Sequence, residues 1–355
     1  IPPAMASPPI ATFSIGWIAA LSHELTAGRL MPDKEYPDAP EDFDPSSSDT
    51  NTYTFGRIGR HHVVIAVLGT GDYGLVSAAE TASRLSASMP HIRIGLMVGI
   101  GAGVSISKNV RLGDIAVSEP IGTHGGLIQY DLFKAAVESG NPHDQRTGFL
   151  SRPPRALLTA LQKLKSSHDM DESFIEEHIE HAFQRRPRLK KSFGFPGRER
   201  DPQASAKSRA EDDSDSPEVH YGIIASGNVL VKRSQTRDAV LDSLATEHIH
   251  PICFEMEAAG LMNTFPCLVI RGLCDYADEL KNDVWQKYAA LVAAAYAKDL
   301  LGHVDKREID TGPLLAQLLN DSQYGISIED ERFAETRKCR PSTRMLVKSK
   351  ARQSP

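Results

Sequence analysis

Between Phe13 and about Leu301 the chain alternates short, β-branched apolar runs with longer stretches of helical periodicity, a pattern that points to a layered α/β fold. The strand candidates are FSIGWIAAL, HHVVIAVLGTG, IRIGLMVGIGAG, GDIAVSE, VHYGIIASG and CLVIRGLCD. Several are apolar almost throughout, as expected of central strands covered by helices on both faces. Helices are expected over Leu75–Ser88, Pro154–Lys165, Ser234–Thr246, Glu257–Asn263 and Asp283–Leu301.

The alternation lapses between about Ser166 and Glu218, where EEHIEHAFQRRPRLKK and FGFPGRERDPQ lead into the polar run ASAKSRAEDDSDSPE. That composition buries little, so the segment reads as a mostly mobile insertion at about 166–218 within a domain spanning 13–302. A polar C-terminal tail follows over 303–355, with one short helix expected around Leu314–Leu319.

Composition narrows the partners. Of 355 residues, 41% are hydrophobic and 24% charged, the usage of an ordinary globular protein. A net charge of −6 offers no general attraction to phosphate backbones or anionic lipid, so neither nucleic acid nor a membrane is expected as the main partner. No apolar run approaches the ~20 residues that span a bilayer, and the first residues lack an export signal. The four cysteines, Cys253, Cys267, Cys274 and Cys339, have no paired spacing, which fits a reducing, cytoplasmic setting. Glu177–His181 sets two histidines on one helical face, but with no third ligand nearby no metal is expected, and no cofactor motif accompanies it.

The chemistry concentrates near the C-terminal end of the α/β pattern. In Cys253-Phe254-Glu255-Met256-Glu257-Ala258 an apolar strand ends on two carboxylates where a helix begins. Ligands gather at such strand ends, although acidic residues also suit an ordinary helix N-terminus. The next strand, Cys267–Asp275, places Arg271 and Asp275 in or just beyond an apolar run, where unpaired charge is costly; each should be paired or face a site.

The stretches FEMEAAG and VIRGLCDYAD resemble the purine nucleoside phosphorylase and uridine phosphorylase superfamily, closest to its methylthioadenosine/adenosylhomocysteine nucleosidase branch. WIAALSHELTAG, LGTGDYGLVSAA, LMVGIGAGV and VRLGDIAVSEP match in order, and THGGLIQYD, ASGNVL and WQKYAALVAAAYAKDLL resemble fungal nucleoside phosphorylase-like modules. The likeness covers roughly Phe13–Leu301 and implies a three-layer α/β/α sandwich with a central mixed sheet, purine nucleosides or nucleotides as small-molecule partners, and a homodimer. It implies that Glu257 grips two ribose hydroxyls with Met256 packed on the sugar, that Asp275 protonates the leaving base, and that Glu24 activates water. Arg271 would neutralise Glu24 or bind an anion. Glu255, Gly101 and Ala102 would lie along the substrate, and Thr70 and Gly71 near the nucleophile. Asn228 stands where relatives often have aspartate, and Phe193 and Phe195 are candidates to fold over a bound purine.

Two turns, Gly69–Gly74 and Gly99–Gly103, follow strands and match neither the dinucleotide fingerprint nor a phosphate-binding P-loop. The first loop, Ala19–Glu24, lacks the glycine and arginine phosphate grip of phosphorylases, which favours water as the nucleophile. Hydrolysis of a purine, adenosine-like nucleoside is therefore the leading expectation. A phosphate-dependent phosphorylase and a non-catalytic nucleotide-sensing module remain as alternatives.

Overall fold

The computed structural model describes residues 6–104, 109–134, 145–170, 173–204, 215–281 and 283–318. Up to residue 316 they belong to one compact unit. In chain order its strands are β1 (Phe13–Ala19), β2 (Lys34–Tyr36), β3 (Thr52–Ile58), β4 (His61–Val67), β5 (Ile94–Gly103), β6 (Ile115–Ser118), β7 (Leu127–Gln129), β8 (Phe133–Lys134), β9 (Gln145–Arg146), β10 (Val219–Gly222), β11 (Ile224–Ser226), β12 (Cys253–Glu255) and β13 (Cys267–Asp275). The helices are α1 (Ser22–Leu30), α2 (Leu75–Ser88), α3 (Arg155–His168), α4 (Ile175–Arg185), α5 (Lys190–Phe193), α6 (Ser234–Thr246), α7 (Ala258–Leu261), α8 (Gln286–His303) and α9 (Lys306–Thr311).

The main sheet runs β10-β6-β13-β5-β1-β4-β3-β2 and is mixed: β13, β5, β1 and β4 are mutually parallel, while β6 and β3 oppose their central neighbours. Strand β13 is buried along its whole length, which is why its sequence carries no polar alternation. Successive β1 residues show the layering. Trp17 faces α1, with Gly28 against its indole, whereas Gly16 faces Leu85 of α2 on the opposite side. The architecture is thus a three-layer α/β/α fold around a mixed sheet.

Helix α8 is buried from Tyr288 to Leu301, because it lies between the sheet and the helices α1, α3, α4 and α5. Its alanines permit that: the chain at Gly272 of β13 comes against the backbone of Ala289 so closely that no side chain would fit between them.

Two expectations are corrected here. The segment expected to be mobile is folded over residues 173–204. Ile175, Ala182, Phe183 and Phe193 are buried in the same core as α8, and Arg185 donates to the carbonyls of Leu30 and Pro32. Burying side chains such as Ile175, Phe183 and Phe193 yields about 2 kcal/mol each, enough to offset the ordering of a short helical segment. Average polarity concealed an apolar face spaced at 175, 179, 182 and 183. Residues 205–214, the acidic part of the segment, lie outside the described residues. The tail is likewise ordered at its start: Ile309 and Leu315 are buried, and the Leu315 N–H donates to the Ile92 carbonyl. The helix expected around Leu314–Leu319 begins at residue 315 and is described to 318. Strands β2 and β3 had no counterpart among the strand candidates.

Candidate active site

Strand β5 outruns its neighbour. Its pairing with β1 ends at Ile18↔Met97, and after a gap of four residues, at Ala102 and Gly103, the antiparallel β12 takes over that edge. The opening between them lies at the C-terminal ends of parallel strands, where α/β folds bind ligands. A cavity of about 260 Å³ occupies it, lined by Ala20, Leu21 and Glu24 after β1, by Ile100–Ala102, by Phe254–Glu257 and by Cys274 and Asp275. Tyr73, Val229–Lys232, Ala277, Lys281 and Gln286 complete the wall.

Glu24 is 3% exposed, and main-chain amides hold it in place. Its Oε2 accepts from Ala20 N–H (2.7 Å) and Leu21 N–H (2.9 Å), and its Oε1 accepts from Ile100 N–H (2.8 Å). The Ile100 amide is free to do so because it falls in the unpaired stretch of β5. Three donors leave roughly one of the four acceptor positions of a carboxylate open. The chain is glycine at position 99 because a Cβ there would collide with the Glu24 carboxylate and the Arg271 guanidinium.

Arg271 does not pair with Glu24 as expected. Its Nη2 donates to Glu255 and, at 3.4 Å, to Glu257. Burial works to lower the guanidinium pKa, but Glu255, Glu257 and Glu24 together outweigh it and keep the group firmly charged. Glu255 also accepts from the N–H groups of Glu257 (3.1 Å) and Ala258 (3.0 Å), so it fixes the turn into α7 rather than standing free in the cavity. Glu257, which also meets Arg271, lines the cavity. Burial pushes its carboxyl up to about 7, with Arg271 and the Gly74 amide opposing and the charges of Glu255 and Glu24 adding to the rise.

Asp275, at the end of β13, accepts from the Ala277 N–H (2.9 Å) on Oδ1. Its Oδ2 meets the Cys274 thiol (3.3 Å) and the ammonium of Lys281 (2.8 Å). Burial tends to lower the Lys281 pKa, and the Asp275 charge and hydrogen bond reverse that, leaving it raised. No sequence pattern singled out Lys281, and only the fold of the loop after β13 brings it back onto Asp275. The same holds for Tyr73 and Val229–Lys232.

The structure gathers Glu24, Glu255, Met256, Glu257, Asp275, Gly101 and Ala102 around one cavity, with Arg271 just behind its wall. Thr70 and Gly71 do not line it. The Asn228 side chain turns away from the cavity to accept from the Leu75 N–H at the start of α2. Phe195 packs on Trp285 and Tyr288, and Phe193 lies in the core, so neither covers the opening. Among the described residues the one cluster with metal-ligand spacing is Asp114, Glu218 and His220, where Asp114 already accepts from His220 Nε2 (2.9 Å) and from the amides of Arg111 and Glu218.

Residues 14–304 match the family model of the phosphorylase superfamily. The chain belongs to that superfamily. Among solved structures, this superfamily member resembles the 5′-methylthioadenosine/S-adenosylhomocysteine nucleosidase of Neisseria meningitidis in complex with methylthio-immucillin-A (TM-score 0.53, 16% identity, 81% of this chain and 98% of that one). It also resembles the futalosine hydrolase of Helicobacter pylori (TM-score 0.54, 16% identity, 82% and 98%). At these identities the likeness shows the fold alone. In sequence it is 43% identical over 303 residues to a nucleotide-binding leucine-rich repeat (NLR)-like protein of Hyaloscypha variabilis, and 25% identical over 235 residues to the ATP nucleosidase Cap17 of Escherichia coli. These matches cover 81% and 65% of this chain, but only 29% and 40% of the relatives' lengths. No described helix is long and apolar enough to cross a membrane.

Proposed function

We propose that the domain hydrolyses the N-glycosidic bond of an adenosine-like purine nucleoside or nucleotide, releasing the free base and the ribose moiety. The observation that carries this reading is the way charge is distributed. Glu24 presents a carboxylate to the cavity, while Arg271, the buried cation beside it, is already committed to Glu255 and Glu257. A phosphate dianion needs an uncommitted cationic grip, and a carboxylate at its entry point would repel it. Water instead gains from a base that takes its proton.

In this scheme Glu257 accepts the ribose hydroxyls and Asp275 passes a proton to a ring nitrogen so that the base leaves neutral. As the C–N bond breaks, water bonds to the sugar carbon and passes a proton to Glu24. Exchange with solvent then moves that proton off Glu24 and reloads Asp275. Negative charge from Glu24 and Glu257 favours the oxocarbenium-like sugar between the two events. Lys232 on the lining suits an anionic 5′ substituent, and the likeness to an ATP nucleosidase supports a nucleotide among the substrates.

The test is incubation with a panel of purine nucleosides and nucleotides in phosphate-free buffer, followed by chromatography. Free base with ribose or its 5′-phosphorylated form is expected. Turnover strictly dependent on phosphate, with ribose 1-phosphate accumulating, would overturn hydrolysis, and binding without base release would favour a sensing module.

A further inference from the structure

The loop from Tyr276 to Trp285 separates β13 from α8, and Asp275 stands at its root. Four residues of the segment 198–203, Arg198, Arg200, Asp201 and Gln203, grip it. Asp201, 4% exposed, accepts from the Tyr276 hydroxyl (2.9 Å) and the Leu112 N–H (3.3 Å) on Oδ2 and from the Gln203 N–H (2.9 Å) on Oδ1. The Gln203 amide donates to Asp278 (3.3 Å), and the Trp285 indole donates to the Arg200 carbonyl (3.2 Å). Arg198 lies over the rings of Phe195 and Trp285 and donates to the Leu112 carbonyl (2.7 Å).

Between the two gripped positions, 276 and 278, lies Ala277 with φ +54°. A residue bearing a Cβ adopts that left-handed conformation at a steric cost and keeps it only where its flanks are fixed from outside. Asp201 fixes the Tyr276 side chain, and Arg237 donates to the Tyr276 carbonyl (3.0 Å) from the other side. Held this way, the Ala277 N–H points back at Asp275 Oδ1, while Oδ2 meets Lys281 and the Cys274 thiol at the cavity wall. Burial and the adjoining Asp201 carboxylate raise the Tyr276 phenol well above its usual range, so the hydroxyl stays a donor to Asp201 at all working pH values.

We propose that Asp201 is a positioning residue for the reaction: through Tyr276 and Ala277 it sets the orientation in which Asp275 presents its carboxyl to the base. The inserted segment thereby takes part in catalysis without touching substrate. This rests on the reading of Asp275 as proton donor.

Asp201→Ala separates the possibilities when assayed on two substrates. For adenosine or ATP, whichever the wild type cleaves, kcat is expected to fall about 30-fold with KM within about threefold, the pattern of a misplaced acid. For p-nitrophenyl riboside, whose leaving group departs without a proton, the rate should stay within about twofold. Equal loss on both substrates, or on neither, overturns the proposal. Tyr276→Phe, which keeps the carboxylate but deletes the hydroxyl, should repeat the split more weakly and guards against a folding defect in the first variant. Amide hydrogen exchange supplies a readout independent of turnover: residues 275–281 should exchange faster in Asp201→Ala while 94–103 do not. If the wild type releases no base from any nucleoside or nucleotide, the hydrolase reading fails, and unchanged exchange at 275–281 separately overturns the brace.

Discussion

Glu24 and Asp275 face the same cavity, yet one is held by main chain alone and the other by one loop amide and two side chains. Glu24 receives three amides whose positions follow from where β1 stops and β5 continues. Asp275 depends on Lys281 and on a left-handed turn at Ala277 that is braced from an inserted segment. A group held by main chain is as rigid as the sheet itself and can be altered only by changing the fold. A group held by side chains and a loop can be retuned by single substitutions some way off. Under the proposed reaction, the nucleophile side is thus the half fixed by the fold, and the leaving-group side is the adjustable one.

The sharpest way to break that contrast is Glu24→Gln. Its amide group would have to turn an NH2 toward at least one main-chain donor, and it can no longer take a proton. Base release in phosphate-free buffer should fall about 1,000-fold, and rescue by added phosphate would show that the position does not serve water. Asp275→Asn should cost about 100-fold on purine substrates with binding largely retained, and little on p-nitrophenyl riboside. If both substrates lose the same factor, the two halves of the site do not divide the work as described.

Glu257 gives the smallest effect and depends on pH. Its carboxyl, pushed up to about 7 in the free protein, must be ionised to accept two hydroxyls, so KM should rise as pH falls from 8 to 6, by about tenfold at most. Because this value lies above the ordinary glutamate value of 4.5, the folded chain holds a proton there that the unfolded chain releases. The group therefore favours folding at low pH, and that contribution is lost as pH rises through about 7. Glu257→Gln should raise Tm by a few degrees at pH 8 and leave it unchanged near pH 4.5, as read by thermal unfolding. A fall in Tm at pH 8 would mean that the bond to Arg271 outweighs the burial of charge.

Much of this was legible in the residues. Strands with no polar alternation and the resemblance carried by FEMEAAG and VIRGLCDYAD led to the layered mixed sheet, and Glu24, Glu257 and Asp275 do come to one cavity. The failures have physical causes. Arg271 lies within reach of several carboxylates, and only the register of β13 against β5, together with the turn at Glu255, selects Glu255 and Glu257 over Glu24. Lys281 reaches Asp275 through a loop conformation that no local pattern encodes. The segment at 173–204 was judged by its mean polarity, although Ile175, Ile179, Ala182 and Phe183 mark an apolar helical face.

The glycines of β5 serve a second purpose. Gly95, Gly99, Gly101 and Gly103 share one face of this strand with Met97, and Phe265, Glu24 with Arg271, Cys253 and Leu273 fill the space beside the glycines in turn. Were the strand to pair one residue out of step, Leu96, Val98, Ile100 and Ala102 would be driven into those occupants. The strand is thus keyed to a single alignment, and a chain that assembles its sheet out of register cannot also assemble its carboxylates. Misassembled copies would lack the cavity altogether, so the site exists only once the sheet has closed correctly.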